Sequence, residues 1–174
     1  MSKVLIVVDM QRDFICGALG SPQAQAVVSP IARLTGQYRE NGWRIIYTAD
    51  THSAAEFEDR LSEEGARIPR HCVKGEDGWR IVDELSPDPD EPVVEKESFG
   101  SLDLAGVIGH IGREVIIELC GVCTDICVAS NALGLRASFP ANRIAVLSDC
   151  CAGSSEQAHQ AALTVMRSCL IDIL

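Results

Sequence analysis

Five short apolar runs each end on residues that could do chemistry. Asp9 follows Lys3–Val8, Asp50 and His52 follow Trp43–Ala49, and Lys96 follows Pro92–Glu95. Gly121-Val-Cys-Thr-Asp-Ile-Cys127 follows Glu114–Leu119, and Asp149 follows Arg143–Leu147. In an open parallel sheet, ligands bind outside the carboxyl ends of the strands, so these residues are expected on one rim. Thr124 is suited to N-cap the helix after the fourth run, which puts Cys127 in that helix's first turn. The helix dipole and free N–H groups there should lower the thiol pKa and hold an oxyanion. Asp9, desolvated at the end of an apolar strand, should have a raised pKa that suits a general base. Lys96 supplies a cation to keep Asp9 and a thiolate in register. The chemistry this set describes is attack of a thiolate on a carbonyl carbon.

A second group lies in the irregular stretch that follows. Asp50-Thr-His52 on an extended segment points both side chains to one face. His71, in Pro69-Arg-His-Cys-Val-Lys-Gly75, can complete a mixed nitrogen and oxygen site for Zn, Mn or Fe. His110 and His159 read as surface imidazoles. Cys120, Cys123 and Cys127 share a C-x2-C-x3-C spacing, but a fourth ligand at suitable spacing is missing, so a metal–sulfur site is disfavoured. Cys150 and Cys151 read as small residues packed at a strand end, and no role is assigned to Cys16, Cys72 or Cys169.

These residues need a frame. Near-continuous apolar runs indicate strands buried on both faces, and their alternation with helix-like segments implies a parallel sheet. The expected helices are Pro22–Asn41 with Gly42 as its terminator, Ser101–Ile111, Thr124–Phe139 and Ser155–Arg167; Cys169–Leu174 reads as a closing strand. Residues 50–91 read as polar and irregular, with one short helix near Trp79–Leu85. The expected fold class is α/β, a three-layer αβα arrangement with an open, mainly parallel sheet of about six strands and helices on both faces, formed by one domain over residues 1–174. With 174 residues the chain can bury a sizeable core. A net charge of −10 argues against a nucleic-acid partner. No stretch approaches the roughly 18 apolar residues of a membrane span, and the N-terminus lacks a signal-peptide pattern. The expected compartment is the cytosol, with the 8 cysteines reduced.

The sequence resembles the isochorismatase-like cysteine hydrolases and, within them, the nicotinamidases. The motifs are Val7-Val-Asp-Met-Gln-Arg-Asp-Phe14, Asp50-x-His52, Pro69–Gly75, Lys96 and Gly121–Val128. The resemblance implies Asp9 as acid/base, Lys96 as its partner and Cys127 as nucleophile. It implies an oxyanion hole from the backbone N–H groups of Cys123 and Cys127, with a cis peptide at Val122–Cys123. It also implies one divalent transition metal, Zn first and Mn or Fe as alternatives, held by Asp50, His52 and His71, with Glu64 completing the set and Glu58 as its rival. Phe14 and Val122 are the implied substrate contacts. Nicotinamidases often carry an aromatic residue three positions before the second metal histidine; here that residue is Ile68. The implied reaction is hydrolysis of nicotinamide or another small amide or N-carbamoyl compound, by a homo-oligomer.

Overall fold

The computed structural model describes residues 2–174. Six strands form one sheet: β1 (Lys3–Val8), β2 (Arg44–Asp50), β3 (Val93–Lys96), β4 (Ile116–Val122), β5 (Ile144–Ala152) and β6 (Asp172–Ile173). Their spatial order is β3-β2-β1-β4-β5-β6, and every pairing is parallel. The central strands are rich in Val and Ile, and all of β4 and nearly all of β1 are buried.

Among the described residues, seven α-helices accompany the sheet: α1 (Arg12–Ile15), α2 (Pro22–Glu40), α3 (Ala54–Glu58), α4 (Glu63–Arg67), α5 (Leu104–Ile108), α6 (Ala129–Ser138) and α7 (Glu156–Ser168). From β1 the chain steps one way to β2 and β3, and from β4 the opposite way to β5 and β6. Right-handed crossovers therefore put α2 on one face and α5, α6 and α7 on the other. In α2, Ser21 accepts the Ala24 N–H at 3.1 Å, Pro22 opens the first turn, and Ala24, Val27, Ile31, Thr35 and Tyr38 form the buried stripe. Gly42, at φ +63°, carries the chain out of the helix.

Strand order reverses between β1 and β4, which stay paired up to Val8 and Gly121. Gly121 sits there at φ +118°, where a Cβ would lie 2.1 Å from the Val8 carbonyl oxygen. Only glycine lets the backbones approach this closely.

Several expectations need correction. The stretch 50–91 holds two short helices, α3 and α4, and two 3-10 turns, Asp77–Trp79 and Asp83–Leu85, instead of one helix. The Ser101–Ile111 helix contracts to Leu104–Ile108, and the closing strand to Asp172–Ile173. β5 continues through Ser148-Asp-Cys-Cys-Ala152, so Cys150 and Cys151 lie within the strand. Asp149 is an exposed residue in mid-strand and does not reach the rim. Thr124 is not an N-cap: Thr124–Val128 forms a π turn leading into α6, and the Thr124 hydroxyl pairs with His159 Nδ1 at 2.8 Å. His159 is accordingly half-buried instead of a free surface imidazole, while His110 is exposed.

Candidate active site

The site lies at the strand-order reversal, where a doubly wound sheet opens a crevice. Asp9 leaves β1 with φ +48°, uncommon for a residue with a side chain. Its neighbour across the sheet holds it: Thr48 Oγ1 donates to Asp9 Oδ1 at 2.7 Å and accepts the Asp9 N–H at 3.2 Å. Gln11 ties the next strand end in place. Its amide donates to the carbonyls of Asp50 and Trp79, both at 2.8 Å, and its Oε1 accepts the Asp50 N–H at 2.7 Å.

Lys96 pairs in register with Asp50 and sends its ammonium inward. It donates to Asp50 Oδ1 at 2.9 Å, to the Ser98 carbonyl at 3.0 Å and to Cys127 Sγ at 3.7 Å. Those bonds use its three donors. Asp9 Oδ2 lies 2.8 Å from Nζ, an ion pair at hydrogen-bonding distance that shares the ammonium with those three partners. The Asp9 carboxylate is also in hydrogen-bonding contact with the Cys127 thiol, which makes it the proton acceptor beside it. Burial raises the Asp9 pKa, with Lys96 opposing and the Asp50 charge adding to the rise. Burial lowers the Lys96 pKa, but the anionic neighbours outweigh it and hold the ammonium charged.

Cys127 falls in the π turn, and the Cys123 carbonyl accepts the amides of Ile126 and Val128 on either side of it. The expected lowering of its thiol pKa is overturned. Burial, and then the Asp9 charge, push the thiol well above its usual value, and Lys96 offsets this only in part. Those surroundings favour the thiol form and leave its activation to a neighbouring base. Val122–Cys123 is cis.

Asp50 turns its second oxygen to another cluster. Asp50, His52, Glu64 and His71 present one ligand atom each, all within 4.8 Å of one another. Asp50 Oδ2 lies 3.0 Å from His52 Nε2 and 3.3 Å from His71 Nε2. Glu64 Oε1 lies 3.7 Å from the first nitrogen and 3.5 Å from the second. The outer ring nitrogens are anchored, His52 Nδ1 by Glu56 Oε2 at 2.8 Å and His71 Nδ1 by the Pro69 carbonyl at 2.7 Å. That anchoring aims both Nε2 lone pairs inward, as in carboxylate–histidine–metal sites. Two carboxylate oxygens and two imidazole nitrogens cannot converge unless protons or a cation lie between them. Burial lowers the histidine pKa values, but the facing carboxylates outweigh it, raising His52 and taking His71 to about 9. Burial raises the Asp50 pKa, but hydrogen bonds from His52 and His71 and the Lys96 charge take it below the usual carboxylate range. The donor set and its spacing fit a divalent transition metal. Glu58, the rival ligand, is exposed and faces Arg70 at 3.6 Å.

Between the cluster and the thiol is a pocket of about 230 Å3, whose lining includes Asp50, Glu64, His71, Phe14, Ile68, Val122, Cys123 and Cys127. It is smaller than the roughly 300–1,000 Å3 of drug-sized sites. Phe14 packs on His71 with ring centroids 5.5 Å apart. The other cysteines are free thiols: Cys72, Cys120 and Cys151 are buried, Cys150 is half-buried, and Cys16 and Cys169 are exposed. Thr48 and Glu56 lie outside every quoted motif, and Gln11 lies within Val7–Phe14 with no role assigned to it, although Glu56 stands four residues after His52, one turn along.

Residues 3–174 match the Isochorismatase domain. The chain belongs to the isochorismatase family. It is therefore an isochorismatase-family hydrolase. A pyrazinamidase of Pyrococcus horikoshii, solved in complex with zinc, superposes with TM-score 0.85 at 29% identity, covering 100% of this chain and 99% of that one. The nicotinamidase of Schizosaccharomyces pombe (strain 972 / ATCC 24843) is 27% identical over 98% of this chain and 91% of its own. An N-carbamoylsarcosine amidase of Thermoplasma acidophilum superposes with TM-score 0.79 at 28% identity over 99% and 95% of the two chains. Among the described residues, no helix is long and apolar enough to cross a membrane.

Proposed function

We propose that this amidohydrolase converts nicotinamide and water to nicotinate and ammonia through a Cys127 thioester. The observation that carries this reading is that the His71 cluster and Cys127 line one small pocket. A flat ring with a nitrogen at one end and a carboxamide at the other spans such a site. The lining contains no Lys or Arg to receive a second carboxylate, which favours a neutral amide over an N-carbamoyl amino acid.

Asp9 Oδ2 takes the thiol proton, and the thiolate formed beside Lys96 attacks the carboxamide carbon. The amides of Cys123 and Cys127 hold the oxyanion. Asp9 returns the proton to the leaving nitrogen, the C–N bond breaks, and ammonia departs from the thioester. Asp9 then deprotonates water, which attacks the thioester and releases nicotinate and the thiol. A divalent metal held by Asp50, His52, Glu64 and His71, with zinc first and manganese or iron as alternatives, would supply a Lewis acid to anchor the ring nitrogen. Phe14 and Val122 bracket the ring.

A second reading, another small amide, is favoured by Ile68, an aliphatic wall where a stacking ring would narrow the choice of substrate. The proposal extends to a cytosolic homo-oligomer, in keeping with eight free thiols and the exposed Leu61, Leu102 and Leu170. The test is ammonia release from nicotinamide by the purified protein and by Cys127→Ala. Full activity in the variant overturns the mechanism. Wild-type turnover of N-carbamoyl compounds but not nicotinamide overturns the substrate.

A further inference from the structure

Glu56 belongs to neither the catalytic group nor the four candidate ligands, yet it touches the supports of two of them. It lies on α3, four residues after His52. Its Oε2 accepts from His52 Nδ1 at 2.8 Å, and its Oε1 accepts from Ser62 Oγ at 2.5 Å. Ser62 is the N-cap of α4, where its Oγ also accepts the Gly65 N–H at 2.9 Å. α4 carries Glu64 in its first turn. At Gly65 a Cβ would lie 2.5 Å from the Glu56 carbonyl oxygen, so α3 and α4 meet backbone to side-chain-free backbone. One carboxylate thus fixes the His52 ring and, through one hydroxyl, the start of the helix that delivers Glu64.

We propose that Glu56 is the positioning residue of the metal centre, setting its affinity by orienting His52 directly and Glu64 through Ser62. The inference rests on the reading of Asp50, His52, Glu64 and His71 as metal ligands. It needs no contact between Glu56 and metal or substrate. With Nδ1–H donated to Glu56, His52 is held in the tautomer that offers Nε2 to the cluster. Glutamine keeps both links, since its carbonyl accepts from Nδ1–H and its amide donates to Ser62 Oγ. Alanine keeps neither.

The experiment measures zinc and cobalt(II) dissociation constants by competition with a chromophoric chelator, together with the visible spectrum of the cobalt(II) form. It compares wild type, Glu56→Ala, Glu56→Gln and Ser62→Ala. Loss of an outer-shell partner typically weakens metal binding by about 10–100-fold, and that is the loss expected for Glu56→Ala, with an altered cobalt spectrum. Glu56→Gln should recover most of the affinity and the wild-type spectrum. Ser62→Ala should fall between, and adding it to Glu56→Ala should weaken binding little further. Chelator-treated proteins unfolded by heat report whether a variant is merely unstable. Glu56→Ala binding zinc within threefold of wild type overturns the inference, as do equal losses in the alanine and glutamine variants. Wild type that takes up no metal overturns the metal site itself, a distinguishable failure.

Discussion

Lys96→Met keeps the length of the side chain and deletes the charge. Asp9 and Asp50, 0% and 1% exposed, then lose the cation that sits 2.8 and 2.9 Å from their oxygens. Removing one partner of a buried ion pair costs about 3–5 kcal/mol, because the remaining charge is left uncompensated. In a domain of this size each kcal/mol is worth roughly 2–4 °C, so the melting midpoint should fall by about 6–20 °C. The loss should depend on pH. Burial already raises the Asp9 pKa, and losing Lys96 raises it further. A carboxyl whose folded pKa lies above its unfolded value contributes stability below the unfolded value, and that stability is lost as pH rises through the folded one. The deficit should therefore be larger at pH 8 than at pH 5. Calorimetry on metal-loaded and chelated protein at both values provides the measurement. Asp9→Asn added to Lys96→Met should restore much of the midpoint, since it removes the stranded charge. Ammonia release should drop by about 10²–10⁴-fold, the usual worth of a positioned acid–base. A deficit under 1 kcal/mol at pH 8, or one equal at both pH values, would refute the buried-pair account.

Other perturbations test other parts. Gly121→Ala should cost about 3 kcal/mol or more in chemical denaturation, since it adds a Cβ at positive φ against the Val8 carbonyl; a loss below 1 kcal/mol would mean the strands part easily. Tyr38→Phe leaves the buried Glu118 with Lys3 as its remaining partner, 2.7 Å away, and should cost about 1–3 kcal/mol by the same assay. In chelated protein, His52 and His71 have raised pKa values, His71 to about 9. Their stabilisation is complete below the unfolded value near 6.5 and is lost as pH rises towards 9, so the chelated midpoint should fall over that interval. Zinc affinity should rise over the same interval as protons leave the ligands. A chelated midpoint that climbs from pH 6.5 to 9 would contradict the cluster's electrostatics.

Much of the site was legible because parallel strands announce their ends. Asp9, Asp50, Lys96 and Cys127 follow apolar runs, and the strand-end rule brings them to one crevice without knowledge of the loops. What failed depended on neighbours distant in sequence. The thiol pKa of Cys127 is raised by burial and then by Asp9, which lies more than a hundred residues away in sequence. Thr124 looks like a cap, but a π turn carries the chain past it and His159 takes its hydroxyl. Asp149 looked like a strand end because Ser148 and Asp149 are polar, whereas β5 runs on with Ser148 half-buried and Asp149 exposed. The resemblance put Glu64 ahead of Glu58, and the Ser62 cap that starts α4 sets Glu64 beside the histidines while Glu58 stays exposed. Glu56 left no signal beyond its four-residue offset from His52.

Asp50 spends one oxygen on Lys96 and the other on the histidine cluster. Two centres that share a carboxylate cannot be independent: whatever draws electron density to one side is felt on the other. Linkage makes the effect reciprocal for binding: a reversible ligand of Cys127 that tightens cation binding must itself be bound more tightly, by the same factor, when the cation is present. The anchor for the ring and the nucleophile for the amide would then respond to one another before any substrate arrives.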